Sequence, residues 1–390
     1  MFTSETLQAF NERETPFYYY DLNLLKETVK RCTDASSKYS FHVHYALKAN
    51  FDDKVLGIIK DAGIGADCVS GNEVKKAVDI GFAPGKVVFA GVGKSDREIN
   101  DALDLDIFCF NVESIQELEI INALAAAKGK KARVAVRINP NVDAKTHKNI
   151  TTGLEENKFG INQWELHDCA EVLKQSSNLD FVGIHFHVGS QILELEVFKS
   201  LCVKVNEIHQ WFAERGFQLK VLNVGGGLGV DYHQPDDKPI VDFETYFQIF
   251  DQFLERRPGQ EVHFELGRAL VAQSGSLISR VLYVKNGLKK NFLILDAGMT
   301  ELMRPMLYQA YHKIENISQR SAVSGQESFK YDVVGPICES TDCFGKEVEL
   351  PESKRGDLFA IRTAGAYGQV MASKYNLRDE INVLYSPVPR

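Results

Sequence analysis

The sequence lacks the features of membrane, exported and zinc-ribbon proteins. Its 390 residues contain no long uncharged apolar run, and it does not begin with a basic segment followed by an apolar one. The seven cysteines are an odd number and include no Cys-x-x-Cys pair. They therefore indicate free thiols rather than a disulfide framework or a zinc knuckle. We expect a cytoplasmic protein without a membrane partner.

An excess of positive charge is also absent. Lys and Arg number 45 against 53 Asp and Glu, the formal net charge is −8, and no long block of like charge occurs. This balance argues against nucleic acid and anionic membrane surfaces as partners. The hydrophobic fraction of 44% and the charged fraction of 25% are typical of a folded globular protein. The length predicts one large and one smaller domain.

Eight apolar, strand-like runs alternate with helical segments over the first two-thirds of the chain. Several runs are apolar almost throughout, as strands buried on both faces of a sheet are. The segments between them have helical periodicity, for example at 72–80, 114–127 and 195–215. Eight repeats of strand and helix predict a (β/α)8 barrel of the TIM type. The predicted strands are 41–46, 65–68, 86–90, 106–110, 133–139, 181–187, 220–224 and 262–265.

The pattern changes after Arg268. The following segments predict strands separated by turns, with little helical periodicity, and they indicate a C-terminal all-β domain. We assign the early run 16–20 to the same domain because of its strand propensity. The expected boundaries are 22–268 for the barrel and 1–21 with 269–390 for the β domain. The predicted strands of the β domain are 270–284, 291–295, 330–334, 358–362 and 381–385.

Polar residues recur where the predicted barrel strands end. Lys48 follows the first strand, Asp67 ends the second, His187 ends the sixth, Gly225–Gly227 follow the seventh and Glu265 ends the eighth. The carboxyl ends of barrel strands form the active-site face, and phosphate often binds after strands seven and eight. A lysine, a glycine loop and a carboxylate on this face suit pyridoxal 5′-phosphate. Lys48 would bind it covalently, the glycine N–H groups would hold its phosphate, and Glu265 its pyridine nitrogen.

Each of these residues alone has a structural alternative. An isolated lysine is usually a solvated surface charge, and three glycines after a strand usually form a tight turn. Asp67 could cap the helix that follows it. Glu265 and Arg268 could form a buried ion pair, and His185 or His187 could be a core histidine. The shared placement on one rim of the barrel favours the cofactor site.

Three segments resemble motifs of the fold type III, alanine-racemase-like, pyridoxal-phosphate decarboxylases, and the resemblance covers nearly the whole chain. Residues 45–50 (Tyr-Ala-Leu-Lys-Ala-Asn) are similar to the cofactor-lysine motif, and residues 187–190 (His-Val-Gly-Ser) to the motif that stacks on the ring and contacts the phosphate. Residues 265–268 (Glu-Leu-Gly-Arg) resemble the pyridinium motif, which is usually Glu-Pro-Gly-Arg. The departure at Leu266 is mild, since proline acts there through backbone conformation. The resemblance thus adds Ser190 to the cofactor site.

Further segments resemble the diaminopimelate decarboxylase family within this group. They are 139–147, 152–153, 158–161, 304–308, 335–340 and 364–368. The resemblance implies that Arg268, Arg304 and Tyr308 hold the distal carboxylate of the substrate and that Glu339 holds its distal ammonium. Tyr367 would touch both cofactor and substrate. Two arginines suit a planar carboxylate, which a diamino dicarboxylic acid carries at its far end.

The resemblance also implies the reaction and the assembly. The expected reaction is decarboxylation of meso-2,6-diaminopimelate to L-lysine and carbon dioxide, the final step of lysine biosynthesis. Cys338 would return a proton to Cα, and the loop of Cys338 and Glu339 would serve the neighbouring subunit of a homodimer with shared active sites. The β domain would thus contribute substrate and dimer contacts. We expect no metal site.

Four alternatives remain open at the level of sequence. One is another basic amino acid decarboxylase of the same family, acting on ornithine, arginine, lysine or carboxynorspermidine; in the ornithine branch an aspartate usually replaces Glu339. A second is a metal-dependent barrel hydrolase, based on the pairs His42-Val-His44 and His185-Phe-His187. A third is a non-catalytic homologue. An alanine racemase is disfavoured because that family places an arginine where Glu265 stands.

Overall fold

The structure, a computed structural model, describes residues 2–142, 158–318 and 328–387. The chain divides into two compact units. One comprises Val29–Gly229 and Asp242–Gly267, and the other comprises Met1–Thr28, Val230–Val241 and Arg268–Arg390. The chain begins with helix α1 (Ser4–Asn11), strand β1 (Phe17–Tyr20) and helix α2 (Leu22–Ser37).

The first of these units is a closed barrel of eight parallel strands. Each strand pairs with the next, and β2 closes the barrel by pairing with β9. Most residues of these strands are buried, as the apolar runs predicted. The predicted TIM-type barrel is confirmed. The strands are β2 (His42–Ala46), β3 (Gly65–Cys68), β4 (Val87–Phe89), β5 (Cys109–Val112), β6 (Ala132–Arg137), β7 (Leu179–His185), β8 (Val221–Asn223) and β9 (Glu261–Leu266).

Helices connect the successive barrel strands, and short polar residues begin several of them. The side chains of Asp52 and Ser70 accept backbone N–H groups of α3 and α4, and Ser95 forms a capping box with Glu98 at the start of α5. The helices are α3 (Asp53–Asp61), α4 (Gly71–Ile80), α5 (Asp96–Asp104), α6 (Ile115–Ala127), α7 (Leu166–Gln175), α8 (Glu196–Glu214) and α9 (Phe243–Phe253).

One barrel strand lies later in the chain than predicted. The apolar run 106–110 begins before the strand, because Asp106 has a φ of 51° and belongs to the preceding turn. Phe108 N donates to the carbonyl of Val87 but precedes the strand, which begins at Cys109. The run was apolar enough to predict a strand, but the turn at its start was not recognised.

The second unit contains a mixed sheet of eight strands. Its main path has the order β12-β15-β10-β11-β13-β14, and β1 pairs with β10 and β16. The early run forms part of this sheet, since β1 pairs in register with β10 from Phe17 opposite Ile278 to Tyr20 opposite Gly275. The elements are α10 (Arg268–Val271), β10 (Gly275–Asn286), β11 (Asn291–Leu295), α11 (Arg304–Tyr308), β12 (Ile314–Asn316), β13 (Ser328–Val334), β14 (Cys343–Pro351), β15 (Leu358–Ile361) and β16 (Asn382–Tyr385).

The sequence missed parts of this sheet. The predicted strand 270–284 begins within α10, so the real strand starts only at Gly275. Strand β14 was not predicted, because its composition is polar: it ends one path of the sheet and exposes charged residues such as Lys346 and Glu347. Charged edge strands discourage pairing with other chains. Within the described residues, no helix combines the length and the apolar composition of a membrane span.

Candidate active site

Lys48 lies in a short 3₁₀ turn that directly follows β2. The turn is tied to its surroundings because the hydroxyl of Tyr45 donates to the carbonyl of Asn50 (2.8 Å). The side chain of Asn50 in turn accepts the N–H of Asp52, the residue that caps α3. Lys48 itself is partly buried, between the buried residues Leu47 and Ala49. The first barrel strand therefore delivers one lysine to its carboxyl end.

Asp67 is a buried carboxylate in β3, with 2% of its surface exposed. Its Oδ1 atom is buried and has no hydrogen-bond partner among the described residues. Burial and the negative charge of Glu265 raise the pKa of Asp67 well above its usual value, while the positive charge of Lys48 acts in the opposite direction. The capping alternative is wrong, because Ser70 caps α4. An oxygen buried in this way indicates that a polar ligand belongs beside it.

Glu265 is a carboxylate of the barrel rim that accepts several hydrogen bonds. Its Oε1 accepts from the side-chain amides of Asn111 (2.7 Å) and Asn223 (2.8 Å), and its Oε2 accepts from His185 Nε2 (2.9 Å). Burial alone raises the pKa of Glu265, but His185, His187 and the amide hydrogen bond outweigh burial and hold it well below the usual range. Glu265 is therefore an ionised carboxylate in a buried site.

Two of these partners were not recognised in the sequence. Asn111 and Asn223 lie in β5 and β8, which are otherwise buried and mostly apolar. An amide side chain inside such a run is the signal that could have identified them. His185, considered in the sequence as a core histidine or a metal ligand, positions Glu265, and its Nδ1 has no hydrogen-bond partner within the described residues.

His187 and the glycine loop form the next part of the rim. Gly226 N donates to His187 Nδ1 (3.4 Å), and Gly225 N donates to the side chain of Asn223 (2.9 Å). Burial lowers the pKa of His187 well below its usual value, and the positive charges of Arg137 and Lys48 add to this shift. His187 is therefore a neutral aromatic ring at neutral pH.

The glycines of this loop cannot be replaced by residues with a Cβ. A Cβ at Gly226 would lie 1.9 Å from the carbonyl oxygen of Glu265, and one at Gly225 would lie 2.1 Å from that of Phe186. Gly225 and Gly227 also have φ values of 71° and 110°, which favour glycine. The loop thus holds its backbone close to Glu265 and His187. Ser190 lies partly buried in the neighbouring loop that follows β7.

A buried ion pair that sequence reasoning missed borders this group. Arg137 Nη1 donates to Glu113 Oε1 (2.7 Å), and Glu113 also accepts the N–H groups of Gly91 (3.1 Å) and Gly160 (3.0 Å). The guanidinium lies 4.8 Å from the ring centre of Phe159. Arg137 therefore adds positive charge to the carboxyl end of the barrel.

Two buried arginines come together in the second unit. Arg268 Nη1 donates to the hydroxyl of Tyr232 (2.5 Å), and the guanidinium of Arg304 lies 4.9 Å from the ring centre of the same tyrosine. Arg304 Nη1 also donates to His312 Nε2 (2.7 Å). Burial lowers the pKa of Arg304; Tyr232 partly offsets this effect, and the charge of Arg268 adds to it. Two buried cations that repel each other make a site for an anion.

The predicted tyrosines accompany this arginine pair. Arg268 lies 4.9 Å from the ring centre of Tyr367, whose φ of 55° is uncommon for a residue other than glycine. Tyr308 ends α11, the helix that begins at Arg304, and is partly buried. Tyr232 was not predicted, and nothing in its sequence neighbourhood distinguishes it.

Cys338 and Glu339 lie in the loop between β13 and β14, and both are exposed. Among the seven cysteines, all of which lie within the described residues, Cys338 alone is exposed. Its N–H donates to the side chain of Asn376 (3.1 Å), and the hydroxyl of Tyr375 donates to Glu339 Oε1 (2.7 Å). The side chain of Asp342 accepts the N–H of Ile337 (2.7 Å) at the start of the loop. The loop is thus an ordered surface feature.

One predicted segment cannot be placed in full. Positions 143–147 and 152–153 lie outside the described residues, whereas 139–142 and 158–161 are described. The side chain of Asn139 is buried and accepts the N–H of Asn141 (3.1 Å), and Ile161 forms a bridge with Ile138 at the end of β6.

The barrel residues fit pyridoxal phosphate. Lys48 supplies an amine, and the orphaned oxygen of Asp67 indicates a polar ligand. Glu265 is ionised, as a partner of a protonated pyridine nitrogen must be. The neutral ring of His187 and the exclusion of side chains from the glycine loop complete a set suited to an aromatic ring that carries a phosphate.

Comparisons with known proteins support the fit to pyridoxal phosphate. Residues 25–272 match the family of the pyridoxal-dependent decarboxylase, pyridoxal binding domain. A curated diaminopimelate decarboxylase of Bacteroides thetaiotaomicron is 55% identical over 374 residues, which cover 96% of each chain. That of Helicobacter pylori is 42% identical over 381 residues, 98% of this chain and 92% of its own. The crystal structure of the Helicobacter pylori enzyme complexed with L-lysine matches with a TM-score of 0.90 at 41% identity, over 97% of this chain and 93% of that one.

These matches confirm the family and the cofactor expected from the motifs. The alternative of a metal-dependent hydrolase is therefore wrong. In addition, His42 lies at the amino end of β2, whereas Lys48 follows the carboxyl end of the same strand. The chain belongs to the diaminopimelate decarboxylase family of pyridoxal-dependent decarboxylases.

Proposed function

We propose that this chain decarboxylates meso-2,6-diaminopimelate to L-lysine and carbon dioxide, the final step of lysine biosynthesis, with pyridoxal phosphate as cofactor. The observation that carries the proposal is Glu265, a buried carboxylate kept ionised by three hydrogen-bond donors. An ionised group of this kind is needed where positive charge on the cofactor must be stabilised during decarboxylation. We assign residues 22–268 to the barrel that binds the cofactor, and residues 1–21 and 269–390 to a β domain that contributes substrate and dimer contacts.

The roles of the barrel residues follow from their surroundings. Lys48 binds the cofactor covalently, and Glu265 accepts a hydrogen bond from its pyridine nitrogen. His187, as a neutral ring, packs against the cofactor ring. The N–H groups of Gly225, Gly226 and Gly227, with Ser190, hold the phosphate. Asp67 completes the polar lining beside Lys48.

The cofactor, when bound, accepts the electron pair that the Cα–carboxylate bond leaves behind as carbon dioxide departs. By stabilising positive charge on the bound cofactor, Glu265 would keep the cofactor able to accept that electron pair. Its three donors are fixed on β5, β7 and β8, so the carboxylate does not have to reorganise during the reaction. The thiol of Cys338 supplies the proton that replaces the lost carboxylate on Cα.

The arginine pair supports diaminopimelate as the substrate. The distal end of this substrate carries a carboxylate and an ammonium group. Arg268 and Arg304 are buried and close to each other, and they bind the carboxylate together with Tyr308. Glu339 binds the ammonium, and Tyr367, in contact with Arg268, touches cofactor and substrate. Substrates with only an amine at the distal end do not neutralise the two arginines.

A homodimer is part of the proposal. The loop of Cys338 and Glu339 is exposed, and it contacts Tyr375, which lies beside Leu377; these two side chains are 48% and 95% exposed. Apolar side chains this exposed next to functional residues are typical of an interface. We assign the loop to the active site of a second copy of the chain. The protein acts in the cytoplasm, without nucleic acid or membrane as a partner.

Mixing two inactive variants tests the shared site. Lys48→Ala and Cys338→Ala are purified separately and then mixed under conditions in which subunits exchange. If Cys338 serves the neighbouring subunit, mixed dimers contain one intact site, and an equal mixture regains about a quarter of the wild-type sites. Mixing without any recovery of activity, after exchange has been verified, would refute the shared site.

Substrate selection tests the function itself. Protein loaded with pyridoxal phosphate is incubated separately with meso-diaminopimelate, L-lysine, L-ornithine and L-arginine, and carbon dioxide and the amine product are measured. We expect carbon dioxide and L-lysine from diaminopimelate alone. Lys48→Ala serves as the inactive control. Release of carbon dioxide from ornithine, lysine or arginine instead would overturn the assignment of the arginine pair.

A further inference from the structure

The amino end of the barrel carries a group of imidazole and carboxylate side chains that the proposed reaction does not use. His42 begins β2 and Glu261 begins β9, and His263 follows Glu261 by two residues. The pairing of the two strands places His42 opposite His263. One potential ligand atom from each of the three residues lies within 4.8 Å of the others.

This spacing is close to that of a metal site. Zinc holds nitrogen and oxygen ligands at about 2.1 Å in a tetrahedral arrangement, so its ligand atoms lie roughly 3.4 Å apart. His42 and Glu261 are exposed side chains that can rotate, whereas His263 is 3% exposed and fixed. Rotation of the two exposed side chains toward His263 is therefore sufficient to surround one ion.

A chain of hydrogen bonds determines which nitrogen of His263 faces this group. The carbonyl of Lys86 can only accept, so His44 Nδ1, 3.1 Å away, carries a proton and donates it. With His44 neutral, its Nε2 accepts from His263 Nδ1 at 2.8 Å. The lone pair of a neutral His263 is then on Nε2, which lies 3.0 Å from Glu261 Oε2. Two acceptors at this distance repel each other unless a proton or a metal ion lies between them.

The surroundings keep this arrangement in place. A Cβ at Gly65 would lie 2.5 Å from both His44 Nδ1 and the carbonyl oxygen of Lys86, so glycine is needed for their hydrogen bond. The ring of Phe108 stacks on His263, with 5.2 Å between centres and an angle of 8°. A metal-binding histidine usually donates a hydrogen bond from the N–H of its second ring nitrogen to a fixed acceptor, and Nε2 of His44 supplies that acceptor here.

We propose that His42, Glu261 and His263 bind one divalent transition-metal ion of the zinc type, with water as the fourth ligand. Two imidazoles and one carboxylate suit this class of ion, whereas calcium and magnesium prefer oxygen ligands throughout. An open depression of about 400 Å³, lined in part by these residues, gives the ion and the water access. The ion joins β2 to β9, the pair that closes the barrel, and stabilises the closed barrel.

Zinc titration of the metal-depleted, pyridoxal-phosphate-loaded protein tests the proposal. Isothermal titration calorimetry measures the affinity, and the midpoint of thermal unfolding is measured with and without zinc. Wild type should bind about one equivalent at this site, and zinc should raise its midpoint. His42→Ala and Glu261→Gln should each weaken binding by at least about tenfold, since losing even an outer-shell partner has this effect, and should remove the rise in midpoint.

A matched control separates this site from other zinc-binding groups. His167 is an exposed histidine on α7, so His167→Ala should bind zinc as wild type does. His42 and Glu261 are exposed, and circular dichroism checks that both variants are folded. Equal zinc affinity in wild type, His42→Ala and Glu261→Gln would overturn the proposal. So would the absence of saturable binding in wild type, because a proton would then separate His263 from Glu261.

Discussion

Replacement of Glu265 by glutamine removes the negative charge while keeping the shape of the side chain. Glutamine can be accommodated in one orientation. Its oxygen takes the place of Oε1 and accepts from Asn111 and Asn223, so its amide group faces His185. His185 must then carry its proton on Nδ1, which has no hydrogen-bond partner among the described residues and is free to take it. The variant should therefore fold.

The expected decrease in kcat follows from the loss of the negative charge alone. Hydrogen bonds to charged groups contribute about 1.5–3 kcal/mol, which corresponds to roughly a 10- to 150-fold decrease in kcat for carbon dioxide release. Lys48 is unchanged, so the variant should retain the visible absorbance of the bound cofactor. Glu119→Gln, an exposed substitution on α6, is the control. A kcat within about twofold of wild type, with cofactor bound, would refute the role of Glu265.

Three further predictions concern separate parts of the protein. Lys48→Ala should lose the visible absorbance of the covalently bound cofactor, and a band that survives dialysis would show that another lysine binds it. Arg304→Ala should raise KM for diaminopimelate by about 10- to 150-fold with cofactor binding unchanged; a normal KM would contradict the substrate assignment. Burial and the charge of Arg304 lower the pKa of His312 to about 3, whereas the pKa of a histidine in the unfolded chain is about 6.5. Below the unfolded pKa the unfolded state therefore binds more protons than the folded state. The folded protein loses stability as pH falls through this range. Between pH 8 and 5 wild type should lose about 2 kcal/mol more than His312→Gln in urea unfolding, and parallel losses would contradict this.

Much of the barrel could be predicted because its signals are local. Strands buried on both faces are apolar runs, and the run at β3 was placed at its observed bounds, Gly65–Cys68. Polar residues that end such runs, including Lys48 and Glu265, were also identifiable. Leu266, where the related motif usually has proline, continues β9 in register with Tyr45, so the backbone accommodates the departure.

The features that could not be predicted depend mainly on contacts between residues that are distant in the chain. Glu265 receives hydrogen bonds from Asn111, 154 residues earlier, and from His185, 80 residues earlier. No local pattern encodes such a pairing. Strand β14 was not predicted for a different reason: it lies at the end of the sheet path, and its charged residues face outward. Local sequence indicated where polar residues end the barrel strands, whereas folding determines which of these residues hold one another in place.

The most direct test is a crystal structure of the protein with pyridoxal phosphate and L-lysine, the proposed product, which retains the distal carboxylate and ammonium of the substrate. We predict that Glu265 lies about 2.7–2.9 Å from the pyridine nitrogen and that the lysine carboxylate contacts Arg268 and Arg304. A pyridine nitrogen facing another residue, or a lysine carboxylate bound away from both arginines, would contradict the account.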